Sequence, residues 1–413
     1  MNHQRPHDAP DDRRFDWSGA RLLAGCLGLL LISGCATGSR REATEGRLVQ
    51  TQVAALPAQI VSNFFLVEAV QADGRPARFI IDTGSTANLV SIDLATRLGQ
   101  RDRARARRTV QVRSANGGEV SLEQVTLRRL QLAAARFERV PALVFDFGDL
   151  SAHLGVRIDG LIGFPLFHDT RLTLEYLQAR LVLTPHSIAT SFPADPTASD
   201  SPLSFNNEQG TPLIPVQMGN ESFVALVDSG SDGALNLNPA GLHPRFLFGP
   251  RSGTVVSSLA GDRRQLAGRL GQDVLIGSHT ITQPIVDLTD QLSSIGGEIL
   301  RHFNLTFDQR NNTVVFSRPV DGAVVMEPRR STGLSLVRAP IYWRVMAVIE
   351  DSPSTHLGVR AGDLIVRING EPVDRWGLDR YATLLASAAK VTYTFLAGTR
   401  EFDLEIPVFE LVP

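Results

Sequence analysis

Two short stretches of the 413-residue sequence place a carboxylate where water should be scarce. Phe79–Ser91 reads FIIDTGSTANLVS, three apolar residues running into Asp82 and then Thr83-Gly84-Ser85. Phe223–Leu237 reads FVALVDSGSDGALNL, with the same apolar approach to Asp228 and then Ser229-Gly230-Ser231. An ionised carboxylate taken out of water is costly unless it is paired or hydrogen-bonded. Gly84 lets the backbone double back and bring N–H groups close to the carboxylate, and Thr83 and Ser85 add hydroxyls that can donate to it or brace the loop. One such tripeptide is ordinary turn chemistry. Two copies are a constellation: if the fold brings the two carboxylates within hydrogen-bonding reach, they cannot both ionise and must share a proton.

The elements that deliver these residues repeat. Strand signals run from Ile60 through Phe64–Val70, turn at Ala72–Arg75, and return through Ala77–Ile81 into Asp82. In the second copy Leu213–Met218 is a strand, Gly219–Ser222 a turn, and Phe223–Val227 a strand ending at Asp228. Ser91–Leu98 reads as a short helix and Arg101–Arg108 as a solvated basic face. Val110–Val125 reads as a hairpin turning at Ser114–Gly118, since Asn-Gly is a strong hairpin signal. Gly253–Gln265 gives a comparable hairpin turning near Ala260–Arg263. Phe167–Leu183 and Leu300–Phe316 match without a gap at an offset of 133 residues, the offset that also relates Gly163 to Gly296. The aspartates are 146 residues apart, so the first copy holds about 13 extra residues between its aspartate and its closing segment. A duplication of this kind implies two β units with a cleft between them.

Over Ile60–Arg318 this order resembles the pepsin and retropepsin clan of aspartic proteases. Leu161-Ile162-Gly163 and Ser294-Ile295-Gly296 occupy the place of the clan's hydrophobic-hydrophobic-Gly stretches, the second with Ser where an apolar residue is expected. The resemblance implies that Asp82 and Asp228 are the catalytic pair. It implies that Thr83 and Ser229 hydrogen-bond across the pair, with Gly84 and Gly230 in the loops. It implies that Ser85 and Ser231 contact the outer carboxylate oxygens. One carboxylate would take a proton from a bound water that attacks the peptide carbonyl, while the other stabilises the oxyanion. Neither candidate flap carries the tyrosine of a pepsin-type flap. Both units have a flap, with Gly117-Gly118 and Ala260-Gly261 at the tips, which is closer to a retropepsin dimer fused into one chain. Glycine-rich tips suit loops that close over an extended peptide.

Gly333–Val412 resembles a PDZ domain, through Gly333-Leu334-Ser335-Leu336, Ser352-Pro353, Gly362-Asp363-Leu364-Ile365 and Ile368-Asn369-Gly370. In that family the Gly333–Leu336 loop offers backbone N–H groups to a peptide's terminal carboxylate, and Asp379–Ala388 would be the groove helix. A PDZ fold used only for packing against the protease is the competing reading.

At the N-terminus Arg13, Arg14 and Arg21 precede the apolar run Leu22–Gly34, which has the length of a signal h-region. It ends in Leu31-Ile32-Ser33-Gly34-Cys35, which resembles a lipoprotein processing site with Cys35 as the lipidated residue. Cys26 fits the local pattern with almost no apolar run before it, and a plain secretory signal is the alternative. Both cysteines lie in this leader, leaving no internal disulfide for the mature protein. Ala36 in place of the inner-membrane retention signal points to the outer membrane, facing the periplasm of a bacterial envelope.

Composition agrees with a turn-rich, mainly β globular protein: 43% hydrophobic, 20% charged, 35 Gly and 23 Pro. A net charge of -2 gives no argument for nucleic acid. The nine histidines show no ligand spacing, and neither a metal nor another cofactor is expected.

The expected layout is a signal peptide over 1–34, a tether over 35–56, a first protease lobe over 57–186 and an interlobe linker over 187–208. A second lobe follows over 209–318, then a linker over 319–330 and a PDZ domain over 331–413. The expected activity is endopeptidase cleavage of extended or unfolded segments, with the PDZ domain recruiting or orienting substrate. A non-proteolytic envelope scaffold, binding partners through the cleft and the PDZ groove, is the second reading.

Overall fold

A computed structural model of the chain describes residues 46–49, 52–100, 109–113, 118–188, 201–258 and 261–413, with backbone alone at 100, 254–258 and 261–264. The expected leader with Cys35, the basic stretch 101–108, Gly117 and Ala260 lie outside the described residues.

The protein is mainly β. Its first unit opens with β1 (Ala54–Val61), β2 (Phe64–Val70) and β3 (Pro76–Asp82), an antiparallel meander. Phe79, Ile80 and Ile81 are buried on both faces, as expected of a central strand with a continuous apolar run. After β3 come β4 (Leu89–Val90) and α1 (Ile92–Leu98), which starts where the Ser91 hydroxyl accepts the Leu94 N–H at 3.1 Å. The candidate flap follows as β5 (Thr109–Arg113) and β6 (Glu119–Leu132). β6 is continuous through Leu132, past the end of the expected Val110–Val125 hairpin. Next are β7 (Ala135–Val144), α2 (Gly148–Leu154) and β8 (Gly160–Gly163), then β9 (Thr170–Glu175) and β10 (Arg180–Pro185).

The second unit repeats the plan with β11 (Leu213–Met218), β12 (Glu221–Val227), β13 (Leu235–Leu237) and the long hairpin of β14 (Phe246–Ser258) and β15 (Gly261–Leu270). It closes with β16 (Ile285–Leu288), β17 (Ser294–Ile295), α3 (Gly297–Leu300), β18 (Asn304–Asp308) and β19 (Thr313–Ser317). In both units the strand leading to the aspartate lies parallel to the hydrophobic-Gly strand: Ile80 faces Leu161 and Ile81 faces Ile162, as Leu226 faces Ser294 and Val227 faces Ile295.

The closing hairpins of the two units share one sheet, in the order β19-β18-β9-β10-β1-β2-β3. Thr173 and Thr306, equivalent by the 133-residue offset, face each other with hydroxyls 3.1 Å apart. Self-pairing of equivalent residues is what a pseudo-twofold axis between the units requires. One apolar cluster is continuous across both units, from Phe79 and Phe167 to Phe303 and Phe307. A second lies under the first flap and includes Val112, Leu122, Phe147, Leu150 and Leu161.

The C-terminal unit contains β20 (Arg329–Ser331), β21 (Leu334–Arg338), β22 (Trp343–Val348), β23 (Leu364–Ile368), helix α4 (Leu378–Ser387), β24 (Lys390–Ala397), β25 (Arg400–Pro407) and β26 (Phe409–Val412). Trp343 and Trp376 are core residues here. The unit is joined to the second β unit through β26, whose Leu411 and Val412 enter the large shared core. Arg251 of β14 donates to Glu410 O and Leu411 O, and Arg269 of β15 donates to Pro413 O, Gln283 O and Met326 O.

Three expected connectors are more ordered than the sequence suggests. In the tether, Arg47–Leu48 pairs with Phe137–Glu138 and β1 already begins at Ala54, because Ala54 and Leu56 alternate inward. In the interlobe linker, Leu203–Ser204 pairs with Thr313–Val314 and Asn206 with Leu213. In the linker over 319–330, Val324–Val325 pairs with Ile281–Thr282, Met326 is buried and Arg329 is tied to Asp287 and Glu298. Pairs and alternations this short fall below any periodicity that a sequence can display.

Candidate active site

Asp82 ends β3 and Asp228 follows β12, so two parallel-flanked strands carry the carboxylates to one place. Both are 1% exposed. Each loop folds back on its own carboxylate: the Gly84 N–H donates to Asp82 Oδ1 at 2.9 Å and the Gly230 N–H to Asp228 Oδ1 at 3.0 Å. Each glycine also faces the other unit's aspartate. A Cβ on Gly84 would lie 2.4 Å from Asp228 Oδ1, and one on Gly230 would lie 2.3 Å from Asp82 Oδ1. Glycine is required at both positions by the closeness of the partner carboxylate.

The loops are locked reciprocally. The Thr83 hydroxyl donates to Val227 O at 2.6 Å and accepts the Ser229 N–H at 3.0 Å. The Ser229 hydroxyl donates to Ile81 O at 2.7 Å and accepts the Thr83 N–H at 3.0 Å. Each hydroxyl thus reaches across to the backbone of the other unit, with all four residues buried. Ser85 departs from the expectation that its hydroxyl contacts the carboxylate. It donates instead to Ala87 O at 2.8 Å, because the turn after Gly84 presents that carbonyl first. The Ser231 N–H faces Asp228 O at 3.4 Å and its carbonyl accepts the Gly297 N–H.

The electrostatics follow from burial and proximity. Asp82 is raised well above the ordinary carboxylate range by burial, then by the charge of Asp228 beside it. Asp228 is pushed up to about 7, again chiefly by burial, with hydrogen bonds from Gly230 and Asp82 opposing the rise. A pair in this state retains a proton where isolated carboxyls have lost theirs, and it can accept a proton from one atom while donating to another.

Both candidate flap hairpins are present, with Val112 opposite Val120 and Gly118 preceding β6; in the second, Gly261, Asp262 and Arg263, expected in the turn, already pair with Ser258, Ser257 and Val256. In the PDZ-like unit Gly333 has a φ of +89°, donates to Ser331 Oγ at 2.8 Å and accepts from the Ile349 N–H. Leu334, Ser335 and Leu336 are not a loop but the start of β21, paired with Val348, Ala347 and Val345 of β22. β21 lies at the edge of its sheet, the position from which a further strand can be added.

Several residues at the site carried no sequence signal. Asn88 donates to Pro141 O at 3.0 Å and accepts the Gly163 N–H at 3.1 Å, fastening the hydrophobic-Gly strand to the loop. Tyr176 is buried near the pair, packed edge-on against Phe65, and burial, then the charges of Asp228 and Asp82, raise its phenol well above its ordinary value. Asn63, from the turn between β1 and β2, donates to Asp232 O at 2.8 Å. The residue pairs involved are far apart in sequence, so nothing local marks them.

Residues 68–166 match the family model for aspartyl protease, and residues 344–394 match that for PDZ domain. The first β unit is thus similar to an aspartyl protease and the C-terminal unit to a PDZ domain over those residues. The first match contains Asp82 and Gly163 but ends before Asp228. No curated protein matches the chain.

Proposed function

We propose that the protein is an aspartic endopeptidase in which Asp82 and Asp228 act together on extended or unfolded protein segments. The observation that carries this reading is the reciprocal lock of Thr83 and Ser229, which holds two buried carboxylates against each other's loops. A scaffold has no physical use for two buried carboxyls kept in this costly arrangement.

In the singly protonated pair, the ionised carboxylate takes a proton from a water that attacks the scissile carbonyl. The protonated one donates to the developing oxyanion, and the proton taken from water passes to the leaving amine. The β5–β6 and β14–β15 hairpins close over the substrate and exclude bulk water. The first unit's extra length between Asp82 and Gly163 includes its flap, and substrate selectivity resides in that length. The PDZ domain brings in substrate by adding a peptide strand along β21 and holding its terminal carboxylate at Gly333. Lipidated at Cys35, the protein works at a bacterial envelope, facing the periplasm.

Digestion of a peptide library from about pH 3 to about pH 8 tests this reading. The expected outcome is cleavage with a bell-shaped pH dependence, falling as the pair gains its second proton or loses its last. Absence of cleavage at every pH, alongside saturable binding of C-terminal peptides, would replace the protease with the scaffold.

A further inference from the structure

The Ser62-Asn63 turn between β1 and β2 touches three parts of the molecule that sequence keeps far apart. Ser62 and Asn63 have φ of +48° and +68°, the left-handed pair of a tight hairpin, a conformation asparagine tolerates well. The Asn63 amide donates to Asp232 O, the fourth residue after Asp228, and Asn63 Oδ1 accepts from Arg301 at 3.2 Å, just past α3. The Asn63 carbonyl lies against Gly297, where a Cβ would come within 2.3 Å of it. On its other side, the Ser62 N–H faces Asp379 Oδ1 of the PDZ helix α4 at 3.4 Å.

This turn sits at the start of β2, and β2 pairs directly with β3, the strand that ends at Asp82. Asn63 therefore fixes the second aspartate loop relative to the first aspartate's own strand. The second unit has a counterpart: the turn ending at Gly210 lies near Thr86 and Pro165, beside the first aspartate loop. Thr86 and Asp232 are each the fourth residue after their aspartates, so the two turns are related by the duplication. They differ in what stands behind them. Behind Asn63 is α4, the helix that flanks the PDZ groove and packs Leu378, Tyr381, Leu384 and Leu385 against its own domain's core, so a shift of that core reaches Asp379 on the helix.

We infer that Asn63 is a positioning residue that sets the spacing of the two carboxylates, and that Asp379 makes this spacing answer to the PDZ groove helix. The inference rests on the proposed protease reading, yet one of its tests needs no substrate. Asn63→Gly keeps the left-handed backbone and removes only the side chain. With a library-selected peptide it should lower kcat about tenfold with KM nearly unchanged, the loss of roughly one buried hydrogen bond's worth of alignment. The alkaline limb of the kcat profile should move down as the carboxyls separate. Asp379→Ala should lower kcat about threefold, and the double variant should be no slower than Asn63→Gly alone, since both act through one turn. A wild-type kcat and pH profile in Asn63→Gly would overturn the positioning role, and additive losses would overturn the link to α4. Unfolding by urea at a series of pH values reads the titration of the pair directly. A shallower pH dependence in Asn63→Gly supports the inference, and an unchanged one defeats it even if no peptide is cleaved.

Discussion

Replacing Asp228 with asparagine should make the fold more stable than the native protein in mild alkali and no more stable in acid. Burial moves the Asp228 carboxyl from 3.8 up to about 7. Between those values the native state keeps a proton that the unfolded chain releases. Stability therefore falls as pH rises through this window, and the loss is complete above about 7. At about 1.4 kcal/mol per unit, the native protein forgoes about 4 kcal/mol there. Asparagine does not titrate, and its neutrality also removes the charge that helps raise Asp82. Urea titrations near about pH 4 and near about pH 8 measure this, followed by far-ultraviolet circular dichroism. Among the described residues the tryptophans, Trp343 and Trp376, both lie in the PDZ core, so their emission would report the wrong domain. The Asn variant should gain at the higher pH and lose or break even at the lower. Parallel pH dependences in the two proteins would refute the claim that the carboxyl is held protonated by the fold.

Two further outcomes concern the docking of the PDZ domain. Arg329 donates to Asp287 Oδ1 and Oδ2 at 2.9 and 3.1 Å and to Glu298 Oε2 at 3.4 Å. Arg329→Met should cost about 2–3 kcal/mol at neutral pH in chemical denaturation, leaving two partly buried carboxylates without their shared cation. Part of that loss should return on acidification, because burial already raises Glu298. At the other contact, His153 on α2 accepts the Arg338 N–H at 3.3 Å, and burial with the nearby Arg338 charge lowers its imidazole to about 4. The unfolded chain takes up this proton from about pH 6.5 downward and the native state only near 4, so stability falls across that window. Limited proteolysis at the PDZ boundary should therefore quicken in wild type as pH drops from about 6.5 toward 4, and quicken less in His153→Gln.

Much of the site can be read from the chain because duplication writes it twice. Asp82 and Asp228, their apolar approaches and the gapless offset that joins Thr173 to Thr306 are local patterns, and β pairing turned them into geometry. Thr83 and Ser229 were legible only through the resemblance, since nothing local says that their hydroxyls reach 146 residues along the chain. The direction of the Ser85 hydroxyl was not legible, because two acceptors compete and the turn decides between them. Asn63, Arg329 and His153 were silent for a different reason. Each is an ordinary polar residue whose partner is set by how separate units dock, and docking leaves no periodicity in a sequence. The connectors failed similarly: a two-residue strand such as Val324–Val325 is held by a neighbour rather than by its own pattern.

The central claim is that the two aspartates form one catalytic unit. The most direct measurement is the kcat of Asp82→Asn and of Asp228→Asn on one peptide that the native protein cleaves, beside circular dichroism of each variant. Either substitution alone should reduce kcat by about a thousandfold or more with the fold intact, because the remaining carboxyl has no partner with which to exchange a proton. Native-like cleavage by either folded variant would contradict the account.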